Sequence, residues 1–93
     1  MIDFDVAYDK LAFMESADEI AEFLTCQGVK AISGNPKQCA ISRWLIDQTG
    51  IPVRTNYATV RTEDLTIDRK HPLTVREFLY AFDRGDYPEL LDT

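Results

Sequence analysis

The residues of this chain whose types could do chemistry are few and scattered. Cys39 falls at the fourth position of an expected helix, and a helix N-terminus lowers a thiol pKa toward the reactive thiolate. A nucleophile also needs a base, and the single histidine, His71, stands before Pro72 just ahead of another expected helix. Spacing does not join the two, so the expectation is a buried packing cysteine and a solvated loop histidine. Cys26, at the end of a helix, reads as packing as well. Asp3, Asp5 and Asp9 imitate the opening of a calcium loop, but the central glycine and closing glutamate of such a loop are missing. Gly34, Asn35 and Lys37 could form a phosphate-cradling turn, yet one glycine is not a glycine-rich loop and helix capping accounts for Asn35. The expectation is no catalytic group, no metal and no cofactor. What remains is a surface. Arg76, Tyr80, Asp83 and Arg84 lie opposite the apolar stripe of the last expected helix, with Asp86 just beyond. Exposed tyrosine beside arginine is the composition enriched at binding hot spots, so these five residues form the expected partner-binding face.

Three helices that must position these residues are announced by their ends. Ser16 and Glu19 form a capping box, Ile20, Phe23 and Leu24 an apolar stripe, and Gly28 a stop, which predicts a helix over about 17–27. Asn35, Pro36 and Gln38 suggest a cap, a first-turn proline and a box position. With Ile41, Trp44 and Leu45 inward and Gly50 and Pro52 as terminators, they predict a helix over about 36–49. Thr74 and Glu77 form a third box, Leu73 and Phe78 occupy the staple positions, and Val75, Phe78, Leu79 and Phe82 make the stripe of a helix over about 75–84 that Gly85 ends. The apolar groups of the tail, Tyr87 to Leu91, could fold back onto the core. Between the second and third of these helices the period changes from 3.6 to 2. Ile51, Val53 and Thr55, then Ala58, Val60 and Thr62, alternate with polar neighbours, and Leu65 to Ile67 follow a turn at Glu63-Asp64. This predicts a three-stranded antiparallel meander with Val53, Val60, Leu65 and Ile67 inward and Arg54, Arg61 and Thr66 outward. At the N-terminus, Ile2, Phe4, Val6 and Tyr8 alternate as a strand would, while Phe4, Ala7, Tyr8 and Leu11 share a helical face. A helix over about 5–14 is the preferred reading, with residues 1–15 expected as a loosely attached segment of one small domain spanning 1–93. The fold class expected is α+β: two or three N-terminal helices, a small three-stranded antiparallel sheet and a C-terminal helix.

Composition bounds the function. The chain has 93 residues, 45% hydrophobic and 11% aromatic, which suits one folded domain rather than a disordered chain. Sixteen acids against ten bases give a net charge of −6. That disfavours general nucleic-acid binding, which needs a basic surface, and favours basic partners. The charge is uneven. Residues 1–25 hold seven acids and one base, residues 26–62 five bases and one acid, and residues 63–93 eight acids and four bases. A basic middle between acidic ends implies either internal complementarity or a local basic face. Two cysteines make no disulfide framework, and no apolar run reaches the ~20 residues of a membrane helix. Acids stand where a secretory leader would carry bases, so a cytoplasmic setting is expected.

Residues Ala17 to Leu24 with Gly28-Val29, Cys39 to Leu45 with Thr49-Gly50, and Glu77-Phe78 with Phe82 to Leu90 together resemble small uncharacterised proteins of actinobacteria and their phages. The likeness covers about residues 16–91, and the last stretch is its most specific part. Related chains often carry proline after the cysteine, where this one has Ala40. The resemblance implies no activity; it implies a phage or actinobacterial accessory protein. The function expected is therefore a small non-enzymatic protein that binds and modulates a host or phage protein, for instance by presenting carboxylates to a basic site and inhibiting it. A second copy of the chain could also be a partner, and no membrane is. The rival reading is a winged-helix nucleic-acid-binding protein whose reader helix, 36–49, presents Lys37, Gln38, Ser42 and Arg43 beside the basic strands carrying Arg54 and Arg61. Against it stand the net charge and the long connection from Gly28 to Asn35, where a turn of about three to four residues is usual.

Overall fold

The computed structural model describes residues 2–35 and 37–92. In chain order its elements are α1 (Phe4–Ala12), α2 (Ala17–Cys26), α3 (Ala40–Thr49), β1 (Val53–Thr55), β2 (Thr59–Thr62), β3 (Asp68–Lys70), α4 (Leu73–Asp83) and a 3₁₀ turn (Pro88–Leu90). The fold is α+β, with one antiparallel sheet in the order β1-β2-β3. Phe4, Tyr8 and Leu11 of α1, Ile20 and Leu24 of α2, Ile41, Trp44 and Leu45 of α3, and Phe78 and Phe82 of α4 meet in one buried cluster. Phe23 is only partly buried and sets its ring edge-on against Trp44 at 5.4 Å.

The ends of α2 follow from its sequence. Ser16 Oγ accepts from Glu19 N–H at 3.1 Å, but the Glu19 carboxylate reaches one residue further back than expected and accepts from Glu15 N–H at 2.8 Å. At the other end, the Val29 N–H returns to the Leu24 carbonyl at 3.1 Å. α3 begins four residues later than the spacing predicts. Asn35 does cap, but it caps a turn: its Oδ1 accepts from Lys37 N–H at 3.0 Å and its carbonyl from Gln38 N–H at 3.1 Å. Ile32 N–H donates to the Gln38 carbonyl at 2.9 Å and closes a loop there. The assignment of Pro36 to a first helical turn lies outside the described residues. Gly50 then ends α3 with φ 71°, a left-handed value suited to glycine.

The expected start of α4 is corrected. The helix opens at Leu73 with Pro72 as its N-cap, and no side chain caps it. Thr74 therefore sits inside the first turn, with its buried hydroxyl unpaired, and Leu73 is 65% exposed, so it does not staple onto Phe78. Gly85, at φ 86°, lets Asp86 N–H return to the Ala81 carbonyl at 3.0 Å. The tail does fold back. Ala31 N–H donates to Leu90 and Asp92 N–H to Ala31, each at 2.8 Å, so the C-terminus pairs with the α2–α3 connection.

The first two strands match the alternation. Val53 faces Thr62 and Thr55 faces Val60 on the buried side, while Arg54 faces Arg61 outside. The third strand is not Leu65–Ile67. Leu65 occupies a turn at φ 63° and is 73% exposed, and Asp64 organises that turn by accepting from Thr62 Oγ1, Thr66 N–H and Thr66 Oγ1. The strand is the wholly charged Asp68-Arg69-Lys70, which carries no apolar period to read. Charged residues on an edge strand also discourage pairing with another chain.

The expected loose attachment of residues 1–15 is also corrected. α1 buries Phe4, Ala7, Tyr8 and Leu11, and Arg69 of β3 reaches across to it. Arg69, across from Val60, lies 4.7 Å over the Tyr8 ring and reaches Asp5 at 3.1 Å and Asp9 at 2.8 Å. His71 is not a solvated loop histidine. It is 6% exposed, and its Nδ1 shares a 2.5 Å hydrogen bond with the Tyr8 hydroxyl. Burial lowers its pKa to about 4, and the charge of Arg76 adds to that effect.

Two stability predictions follow from this packing. Trp44→Ala should cost about 3–5 kcal/mol in urea unfolding, the cost of truncating a fully packed aromatic, and an unchanged midpoint would contradict the core. A histidine of ordinary pKa 6.5 when unfolded and about 4 when folded is neutral in both states above pH 6.5, where the fold meets no protonation cost. As pH falls from 6.5 toward 4 the unfolded state takes up the proton first, and the fold loses on the order of 2–3 kcal/mol of stability. Urea midpoints at pH 7.5 and 4.5 should differ in the wild type and far less in His71→Gln.

Candidate functional site

The site is built on the outward side of α4. Burial of Val75, Phe78, Leu79 and Phe82 fixes the rotation of that helix and turns Tyr80 outward, 47% exposed. The β1–β2 turn brings Tyr57, 41% exposed, against it. The two rings stack with centroids 4.4 Å apart and planes 10° from parallel. Asn56 shapes the turn, its Oδ1 accepting from Ala58 N–H at 2.9 Å and Thr59 N–H at 2.8 Å. Asp83, one turn along α4, accepts from the Tyr57 hydroxyl on one oxygen and from Gly34 N–H at 2.9 Å on the other. That hydrogen bond to the carboxylate is the main reason the Tyr57 phenol pKa is raised. Three segments far apart in sequence thus converge on one carboxylate.

Of the five residues expected at the partner face, Tyr80 and Asp83 are brought together here. Arg84 and Asp86 pair with each other at 2.7 Å and border a shallow depression on the other flank of Tyr80, shared with Asp18 and Tyr87. Tyr87 stacks on Phe78 at 5.4 Å and donates to Asp18 at 2.9 Å, and burial then Asp18 push its pKa up to about 12. Arg76, on the first half of α4, acts on His71 instead and does not join the cluster. Tyr57 was not legible as a site residue. It stands in the gap between two alternating runs, and nothing in its spacing ties it to Tyr80.

The other candidates find structural employment. Cys39 is the N-cap of α3, not its fourth residue. Its Sγ accepts from Ser42 N–H at 3.5 Å, and Ser42 Oγ donates to Thr55 Oγ1 at 2.7 Å. Burial pushes the thiol pKa up against these hydrogen bonds, opposite to what a nucleophile needs. His71 is occupied with Tyr8, so the two halves of the conceivable dyad serve different networks. Asp3 caps α1 by accepting from Asp5 N–H at 3.2 Å, and Asp5 and Asp9 are held by Arg69. The reader-helix face is not assembled either. Ser42 is buried, Lys37 and Gln38 precede α3, and Arg43 is committed to the Lys30 carbonyl at 2.7 Å and to Asp92 at 3.3 Å. The basic middle is largely neutralised internally: Lys37 pairs with Glu63, Arg43 with Asp92 and Arg61 with Asp68. Among the described residues no helix is long and apolar enough to cross a membrane.

No family model matches the chain, and no curated protein or solved structure is significantly similar to it.

The aromatic contact is testable by a double-mutant cycle. Tyr57→Ala and Tyr80→Ala should couple by about 0.5–1.5 kcal/mol in unfolding free energy, the range for stacked aromatic pairs. Additive effects would show that the rings do not touch in solution.

Proposed function

We propose that this chain is a small non-enzymatic accessory protein that binds and modulates another protein through the Tyr57–Tyr80–Asp83 face. One observation carries the reading: a stacked pair of half-exposed tyrosines borders a carboxylate that has hydrogen bonds but no ion pair among the described residues. Rigid aromatic area beside a fixed charge is the composition of a binding hot spot. The net charge of −6 favours a basic partner surface and faster encounter with it. The resemblance of residues 16–91 to small proteins of actinobacteria and their phages supports a phage-linked role with a host or phage protein as target. Occlusion of a basic, nucleic-acid-binding surface is the mode of inhibition this charge suits. A cytoplasmic location belongs to the same proposal.

Immobilised protein should capture a defined partner from an actinobacterial host extract. Tyr80→Ala should weaken that binding by about 2 kcal/mol or more, roughly thirtyfold, while the variant stays folded. Reversing Asp86 to Lys should mainly slow association. Full binding by Tyr80→Ala would overturn the proposal.

A further inference from the structure

Between the N-cap of α3, the β1–β2 turn and α4 lies a recess of about 140 Å³, lined by Gly34, Cys39, Thr55, Tyr57, Leu79 and Asp83. It is smaller than the ~300–1,000 Å³ of a typical small-molecule site and is of the size of one side chain. Leu79 and the Cys39 thiol give it apolar walls, and the Asp83 carboxylate stands beside them. That carboxylate is the one charged group among the residues that line the recess. Asp5, Asp9, Asp68, Asp86, Asp92 and Glu63 each have a lysine or arginine within ion-pair distance. Asp83 is fixed instead by two neutral donors, Gly34 N–H and the Tyr57 hydroxyl, and among the described residues no cation pairs with it. Each of its oxygens can accept a further hydrogen bond.

We infer that this recess receives one arginine or lysine side chain from a basic segment of the partner protein, with the aliphatic stem against Leu79 and the cationic head on Asp83. The inference rests on the protein-binding reading above and names the chemistry of the partner. A purely apolar side chain would desolvate the carboxylate without compensating it, and an acidic one would be repelled by it. A cation on a hydrocarbon stem gains from both parts of the recess. The adjoining tyrosine pair adds cation–π attraction, and the net charge of −6 draws the same chemistry inward.

The probes are short neutral peptides of Gly and Ser carrying a single central Arg, Lys, Leu or Glu, titrated into the full chain and followed by amide and methyl NMR shifts. The Arg and Lys peptides should move the signals of Gly34, Tyr57 and Leu79 saturably, and the Leu and Glu peptides should not. Asp83→Asn should weaken the basic peptides about tenfold or more, the effect of losing a charge-assisted hydrogen bond. Should that variant fail to fold, Tyr57→Phe keeps the ring, releases the carboxylate, and should weaken the same peptides. Equal binding of the Leu peptide, shifts elsewhere on the protein, or binding indifferent to both substitutions would overturn the inference. If the recess ignores basic peptides while capture of the partner still depends on Tyr80, this inference fails and the broader reading stands. If the recess binds them but capture is indifferent to Tyr80, the broader reading fails and the recess stands.

Discussion

Burial of one stripe of α4 is the constraint on which both the fold and the candidate site depend. Phe78 and Phe82 are fully enclosed, stacked on each other at 6.0 Å, with Val75 and Leu79 beside them. Aromatic side chains of this size dominate the energetics of so small a core. Once they are inside, the helix has no rotational freedom, and Tyr80 and Asp83 must face the β1–β2 turn and the loop at Gly34. The site is thus not an addition to the fold. It is the unburied remainder of the element that the core needs most, which is why it can be rigid.

Charge does a second organising job. The alternation of acidic, basic and acidic thirds along the chain is met in part within the molecule, by pairs such as Lys37–Glu63, Arg43–Asp92 and Arg69 with Asp5 and Asp9. Most of these are surface pairs worth little individually. The Arg69 arrangement is different, because the same guanidinium covers the Tyr8 ring while Tyr8 shares its hydroxyl with the buried His71. This clasp ties the first helix to the edge of the sheet. Asp83 is an anchored carboxylate with no cation paired to it among the described residues, and it alone brings charge to the lining of its recess.

Local signals in the sequence were reliable where the physics is local. The Ser16–Glu19 cap, the glycine stops after α2, α3 and α4, and the alternation of Val53, Thr55, Val60 and Thr62 all lie within a few residues of their consequences. Signals failed where a longer-range contact competes. Thr74 and Glu77 look like a capping box, but Pro72 takes the cap position and the hydroxyl is turned inward. Asn35 caps a turn rather than α3, because the α2–α3 connection closes on itself through Ile32 and Gln38. The charged strand Asp68-Arg69-Lys70 has no apolar period, since its inward residue is an arginine that packs on a ring. Of the site, Tyr80 and Asp83 were legible from helical periodicity as outward positions. Tyr57 and Gly34 were not, since their meeting with Asp83 depends on how the sheet and the α2–α3 connection dock on α4.

On the proposed reading, this protein meets its partner on the side of α4 that faces the β1–β2 turn. Hydrogen–deuterium exchange of the free protein and of its complex with the captured partner tests it most directly. Added protection should concentrate in residues 33–39, 55–58 and 79–86, with α1 unchanged. Protection centred instead on Val6 of α1 and on Phe13 just past its end, both exposed, or on the outer sheet face at Arg54 and Arg61, would contradict it.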